Sequence, residues 1–427
     1  MLTDCLLSKR SRRLLCCWLG LGMLAAGLVA CTPEVTRQTA SIQPEGSFSS
    51  GGETPLPDQW WRSFEEPTLD RLIDQALADN LSLQSAWDRL DRARALARRA
   101  GADLFPKVDG DAGFSSTRTH NNSRSESNQN FTLGLAARYE VDLWGRIQST
   151  SDAARIDAQA SAEDLRTAAL TISARVAATW FQLLEQYGQN RVLTRQLQTN
   201  RQTLELITLQ FRTGQVGIAD VLQQRQLVES NQGELALVTG RSKVLENQLA
   251  VLLGLTPDRA WELPEKINLR LPPLPQTGLQ SGLLTRRPDI QSAWLRIEAA
   301  DERVAAAIAD RFPRLSLTGR ANTNAEKLED LFDDWLASIA ANLLAPLIDG
   351  GQRRAEVDRT RALAAEALHD YGQTVLEALA EVENALAREE QQTQYLQSVE
   401  RQLVLAGQAT ERIRDRYING AEDYQRV

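Results

Sequence analysis

The sequence predicts a mainly α protein with transmembrane β-strands, built as a tandem repeat of helix, strand, strand and long helix. Three observations lead there. First, Gln84-Ser85-Ala86-Trp87 recurs as Gln291-Ser292-Ala293-Trp294, and the alignment continues without a gap to Asp103-Leu104-Phe105-Pro106 against Asp310-Arg311-Phe312-Pro313. Second, the hydrophobic period changes from helical to two directly after Pro106 and after Pro313. Third, each pair of alternating segments is followed by a long proline-free stretch with helical periodicity. Two large units of this kind disfavour a solenoid, which stacks many small repeats.

Composition narrows the chemistry. The chain has 427 residues, 42% hydrophobic and 24% charged, with no helical membrane span after the first thirty residues. Acidic residues outnumber basic ones 56 to 48, so no basic field draws the chain onto nucleic acid. Cys5, Cys16, Cys17 and Cys31 all lie near the N-terminus, and His120 and His369 are the only histidines. The body therefore carries no disulfide framework, Cys/His metal site or histidine-based catalysis. No cofactor or metal is expected.

In the first repeat, Thr68 to Leu104 is rich in Ala, Leu, Arg and Asp without internal proline, which predicts one helix ending before Phe105-Pro106. Val108, Gly110, Ala112 and Phe114 then alternate with Lys107, Asp109, Asp111 and Gly113, giving a strand at about 107–118. A second strand at about 131–141 alternates Phe131, Leu133, Leu135, Ala137, Tyr139 and Val141 with polar or small residues. The polar stretch His120 to Asn130 is expected to connect them. A helical hairpin is predicted over about 145–254, turning at Gly214-Gln215-Val216-Gly217. Its first arm carries Leu165, Ala169, Ile172, Val176, Thr179, Leu183 and Tyr187 at coiled-coil spacing, resumed from Leu197 to Phe211. At 1.5 Å per residue such an arm reaches about 100 Å. The returning arm repeats the pattern through Val221, Val228, Leu235, Val238, Ser242, Leu245, Leu249 and Leu252. This first repeat spans 58–275 and ends in the proline-rich stretch from Leu263 to Pro275.

The second repeat, 276–427, offers strands at about 314–323 and 335–346 and a long helix at about 351–418. Trp335 to Ala345 alternates least cleanly. Pro106, Gly145, Pro313 and Gly351 mark the junctions between helix and strand. Val427 stands seven residues past Gly420, as Val221 stands seven past Gly214, so the counterpart of residues 222–254 is expected to be missing and the repeat incomplete.

The strands are about 11 residues long, the length a tilted strand needs to cross a bilayer. A half-buried soluble sheet alternates in the same way. Arg138, Glu140, Arg314 and Arg320 on the polar face favour a watery lumen. Since the smallest membrane barrels use about eight strands, four strands require assembly with other copies.

The N-terminus reads as an address. Lys9, Arg10, Arg12 and Arg13 precede an uncharged run from Leu14 to Ala30, the pattern of an export signal over residues 1–30. Leu28-Val29-Ala30-Cys31 resembles a bacterial lipobox, which makes Cys31 the expected lipidation site. An uncleaved anchor and an ordinary signal with an incidental cysteine are the alternatives. Removing residues 1–30 leaves a net charge of -11. Thr32, rather than Asp, after the cysteine implies sorting to the outer membrane. Residues 31–57, rich in Ser, Gly, Pro and Thr, read as a flexible tether.

The repeat, the junction motifs Leu143-Trp144-Gly145-Arg146 and Pro346-Leu347-Ile348-Asp349-Gly350-Gly351, and the tip turns at Gly214 and Gly420 are joined by Trp60-Trp61-Arg62-Ser63-Phe64 and Pro67-Thr68-Leu69. Together with the lipobox, they resemble the outer-membrane factors of Gram-negative tripartite efflux pumps, the TolC-like family, especially its lipidated members. The resemblance implies a homotrimer with a 12-stranded β-barrel continuous with an α-helical barrel, in the bacterial outer membrane and extending into the periplasm. A periplasmic adaptor protein and an inner-membrane transporter would complete the pump. It also places a channel constriction in Gly420-Ala421-Glu422-Asp423-Tyr424, with Glu422 and Asp423 as an acidic ring; alternatively these acids simply start a returning helix.

No enzyme chemistry is expected. Glu185, Arg191, Arg195 and Glu205 read as solvated helix faces or intrahelical pairs. Asp349-Gly350-Gly351 lacks the lysine of a phosphate-binding loop and reads as a bend. Trp60, Trp61, Trp87 and Trp294 read as packing. The expected function is passive conduction of small molecules as the outer-membrane component of an efflux system. A protein-secretion conduit and a non-conducting structural lipoprotein remain the alternatives.

Overall fold

A computed structural model describes residues 46–55, 57–121, 124–257, 261 and 271–419. Cys31, Gly420, Glu422 and Asp423 lie outside the described residues. Two compact units emerge: one from residues 90–162 and 292–371, the other from 46–89, 163–291 and 372–419.

Helices α1 (Pro67–Asp79) and α2 (Leu81–Gly101) replace the single helix expected from Thr68 to Leu104. The break falls at Asn80, whose buried side chain is committed in two directions. Its Oδ1 accepts the Leu83 N–H at 3.0 Å, capping α2, and its Nδ2 donates to the Leu252 carbonyl at 2.8 Å. In α1, Leu69, Leu72, Ile73 and Ala76 recur at helical spacing and are buried. They pack with Trp61, with Ile172, Val176, Trp180, Leu183 and Leu184 of α3 (Arg146–Arg212), and with Leu249 and Leu253 at the end of α4 (Ile218–Leu252). Each large side chain buried here contributes about 1.5–3 kcal/mol.

The coiled-coil positions hold α3 against α4. Leu165, Ile172, Val176, Thr179, Leu183, Leu197 and Ile207 are buried on one arm, and Val221, Val228, Val238, Ser242 and Leu249 on the other. Polar contacts fix the register. Asn190 donates to Thr239 Oγ1 at 3.1 Å, Gln224 to the Asn200 carbonyl at 3.0 Å, and the Tyr187 hydroxyl to Glu246. Burial first, and then the Glu246 carboxylate, push the Tyr187 phenol well above its ordinary pKa.

The strands form one antiparallel sheet in the order β1 (Lys107–Asn121), β2 (Arg124–Val141), β3 (Arg314–Ala325), β4 (Trp335–Leu344). Of the connection expected from His120 to Asn130, the described residues 120–121 and 124–130 are instead strand, and β1 and β2 pair up to Asn121↔Arg124. Helix α5 (Pro288–Ala309) precedes β3, and α6 (Gln352–Ile418) follows β4. In the sheet-bearing unit, α5 and α6 meet through Ala300, Val304 and Ala364.

The tether also differs from expectation within its described part. Residues 46–55 are docked in extended form, with bridges Ser47↔Leu279 and Thr54↔Pro275. The Gly52 N–H donates to the Pro275 carbonyl at 3.0 Å and the Gln276 N–H to the Thr54 carbonyl at 2.8 Å. Phe48 is buried. Among the tryptophans, Trp60 and Trp61 pack edge to face and Trp294 packs on Tyr371. Trp87 departs from its packing expectation and is half exposed.

Candidate functional site

The candidate site is the two-faced sheet with the junctions that attach it to the helices. Paired residues of antiparallel strands share a face, so the register sorts the side chains. One face carries the rows Val108–Ala137–Gly319–Ile339, Gly110–Leu135–Ala321–Ala337 and Ala112–Leu133–Thr323–Trp335. Phe114 opposite Phe131 extends it at one end, and Tyr139–Leu317–Ala341 and Val141–Leu315–Leu343 at the other. The opposite face carries Lys107–Arg138–Thr318–Ala340, Asp109–Ala136–Arg320–Ser338, Asp111–Gly134–Asn322–Leu336 and Glu140–Ser316–Asn342, polar or charged on β1 to β3 with Ala340 and Leu336 added by β4.

The apolar face is uncovered: Ile339 is 91% and Trp335 75% exposed. On β2 it runs from Phe131 to Val141, which at about 3.3 Å per residue and a tilt of about 40° spans roughly 25 Å, the height of a lipid-facing band. Phe114 and Phe131, with ring centroids 4.9 Å apart, edge that band. Beyond them both faces of the β1–β2 hairpin are polar. On the polar face a Cβ at Gly134 would lie 2.8 Å from Asp111 Oδ1, so the carboxylate occupies the space a side chain would need.

The junctions are joined by charge. Arg146 donates to Glu140 at 2.9 Å and lies 3.9 Å from Asp310. Asp310 also pairs with Arg314, and with Arg353 at 3.2 Å. Arg353 Nε additionally donates to the Asp310 carbonyl at 3.0 Å. Trp144 Nε1 donates to the Pro313 carbonyl at 2.7 Å. Gly145 (φ 74°) and Gly351 (φ 89°) hold equivalent left-handed positions, each just before a long helix. Carboxylates cap both helices: Asp142 accepts the Gln148 N–H at 2.7 Å, and Asp349 accepts those of Gly351 and Arg353 at 3.0 and 3.3 Å. The backbone N–H of Gly351 first, then that of Arg353, hold the Asp349 carboxyl below its ordinary range. Asp349-Gly350-Gly351 is thus a helix cap rather than a ligand cradle.

Pro106 and Pro313 each stand immediately before a strand, β1 and β3. Gly214 (φ 75°) makes the turn between α3 and α4, where the Gln215 N–H reaches the Gln210 carbonyl at 2.9 Å. The Asp220 carboxylate reaches back to the Gly217 N–H at 2.9 Å to start α4. The structure thus brings Gly145, Pro313 and Gly351 to one junction and places Gly214 at a hairpin tip. Sequence reasoning missed the ion network around Asp310. A signal was present in the repeat: Asp103 pairs with Lys107 as Asp310 pairs with Arg314, at equivalent positions.

Among the described residues no group of three or more metal-ligating side chains converges, and no helix is long and apolar enough to cross a membrane. A sheet with one exposed apolar face and one charged face, joined to coiled-coil helices, points to a β-type membrane conduit component. The chain belongs to the outer membrane efflux protein family, whose model matches residues 72–255 and 279–427. It is similar to the pyoverdine export outer membrane protein OpmQ of Pseudomonas aeruginosa, with 32% identity over 93% of this chain and 86% of that protein. It is also similar to the cation efflux system protein CusC of Escherichia coli, with 26% identity over 95% of this chain and 90% of that one. Among solved structures, CusC superposes with a TM-score of 0.81 at 26% identity, covering 93% of this chain and 91% of that chain. The open-state Neisseria gonorrhoeae MtrE outer membrane channel superposes at 0.80 with 26% identity, covering 91% and 89%. The protein is an outer-membrane channel component of a tripartite efflux system, a conduit and not an enzyme.

Proposed function

We propose that three copies of the chain close a twelve-stranded barrel in the outer membrane and conduct small molecules passively through its charged interior. The observation that carries this reading is the apolar face, continuous in register across four strands whose outer edges, β1 and β4, have no partner strand among the described residues. An open edge is not tolerated in hydrocarbon. Two copies would give about eight strands, a bore filled by side chains, whereas three leave room for a lumen. Cys31 carries the lipid anchor, and the helices extend into the periplasm. There a periplasmic adaptor and an inner-membrane transporter deliver the substrate and the energy. Glu422 and Asp423, beside Gly420 at the second tip, form an acidic constriction that disfavours anions.

Planar-bilayer recording of the purified protein tests the reading. Stepwise, ohmic conductance supports it, and silent bilayers from folded, inserted protein would leave a structural lipoprotein instead. Export of a small-molecule substrate, rather than a polypeptide, by cells carrying the intact pump separates efflux from protein secretion. Cys31→Ser should abolish palmitate labelling, and normal labelling would refute the anchor. Glu422→Ala with Asp423→Ala should raise conductance and lower cation preference, while unchanged values in the folded variant would remove the constriction.

A further inference from the structure

The cations of the sheet and its junctions are not treated alike. At the junctions Arg146 holds Glu140 at 2.9 Å, Arg314 pairs with Asp310, and Arg353 reaches Asp310 and Asp349, each at 3.2 Å. Arg138 and Arg320 stand one and two rows further along the polar face than Glu140, and among the described residues neither is paired with a carboxylate. They are diagonal neighbours on adjacent strands, since Arg138 faces Thr318 and Arg320 faces Ala136. Diagonal partners lie about 7–8 Å apart, within reach of long side chains, so the two guanidinium groups share one space. The residues across the ladder from them on the other side of β3 and β4 offer hydroxyls: Thr318 opposite Arg138 and Ser338 opposite Arg320. Lys107, on the far side of Arg138, is held by Asp103 at 2.5 Å. Asp109, diagonal to Arg138 and two strands from Arg320, is the one acid in these two rows. Like charges set as ladder neighbours repel, and an oxyanion between them removes that cost. Because β2 and β3 are the inner strands, the ladder neighbours of both arginines lie within the chain, and another copy joining at β1 or β4 brings no strand beside them.

We propose that Arg138 and Arg320 form an oxyanion site in the lumen, which grips the carboxylate or phosphate groups of exported molecules as they pass. This rests on the proposed barrel with its polar face inward, and is independent of the constriction. Guanidinium forks match the geometry of carboxylate and phosphate, and the Thr318 and Ser338 hydroxyls add donors beside them. Asp109 tempers the grip, as a site on a conduction path must release what it binds.

The test compares the full wild-type chain with Arg138→Gln/Arg320→Gln, using Arg118→Gln as the control, since Arg118 lies on the face of Phe114, in register with Ser127. In planar bilayers the chloride-to-potassium permeability ratio should fall about twofold in the double variant, and block by inorganic tripolyphosphate should weaken about tenfold. From vesicles, carboxyfluorescein should leave about threefold more slowly relative to an uncharged trisaccharide. The control should match wild type in all three. An unchanged permeability ratio or an unchanged block would overturn the site. Weaker block with an unchanged flux ratio would mean that inorganic anions alone bind, and would overturn its role in export. Should the double variant fail to insert, Asp109→Asn keeps both arginines and should tighten tripolyphosphate block severalfold, and an unchanged block would overturn the proposal. A folded, inserted wild type that never conducts would overturn the conduit, and the site is then read separately by arginine labelling. Tripolyphosphate should shield Arg138 and Arg320 from phenylglyoxal, as measured by mass spectrometry, and equal labelling with and without it would overturn the site as well.

Discussion

Trp144 and Phe312 stack with ring centroids 4.8 Å apart and planes at 24°, and the indole N–H of Trp144 reaches the carbonyl of the very next residue, Pro313. The end of the first strand pair is thereby fastened to the start of the second. Trp144→Ala removes both the stack and the hydrogen bond. It should cost about 2–4 kcal/mol and lower the midpoint of thermal unfolding, measured by circular dichroism. Trp144→Phe should recover much of the loss, since it keeps an aromatic surface.

The two faces of the sheet make opposite demands on neighbouring residues. Ala321→Arg places a charge on the apolar face at an expected cost of about 2–4 kcal/mol near the bilayer midplane. That variant should accumulate poorly in the outer membrane, as assayed by membrane fractionation. Asn322→Arg, one residue on and facing the charged side, should insert normally and shift ion selectivity in planar bilayers towards anions.

Gly145 and Gly351 should tolerate substitution to similar, small extents. A Cβ on either meets nothing within 4 Å, so the penalty is the left-handed backbone alone, about 1–2 kcal/mol for alanine. At Gly134 the penalty for alanine should be smaller, because the backbone there is not left-handed and the only close atoms belong to the exposed Asp111 carboxylate, which can swing aside. Denaturant unfolding of the three single variants checks the order.

Asp289 carries a pH dependence of definite sign. Burial alone would raise its pKa, but the Arg287 hydrogen bonds and charge overcome that and hold it below the ordinary value near 3.8. Its stabilising contribution is therefore full above that value and is lost as pH falls through the depressed one. Asp289→Asn should be less stable than wild type at neutral pH, and the difference should shrink towards zero in strong acid. Thermal melts of both proteins across that range measure it.

Much of this architecture is legible in the residues because it rests on local signals. Pro106 and Pro313 stop helices, Gly145, Gly214 and Gly351 mark left-handed turns, and the period of apolar residues separates strand from coiled coil. What escaped was decided elsewhere. Asn80 in a helix-forming stretch is a cap only because Leu252, distant in sequence, accepts its amide. Residues 119–121 and 124–130 have no apolar alternation to betray a strand, although the hairpin ladder continues through them. The docked segment around Phe48 has the composition of a linker, and its partners Pro275 and Glu383 lie hundreds of residues away. The ion network was half visible: the repeat displays the Asp-Lys and Asp-Arg pairs, but not that Arg146 and Arg353 converge on the second.

The claim on which the rest depends is that edges β1 and β4 close against other copies around a lumen. Native mass measurement of the conducting complex, released from the outer membrane in mild detergent, tests it most directly. Three chains, and so twelve strands, are predicted. A conducting species containing one or two chains would contradict the proposed barrel.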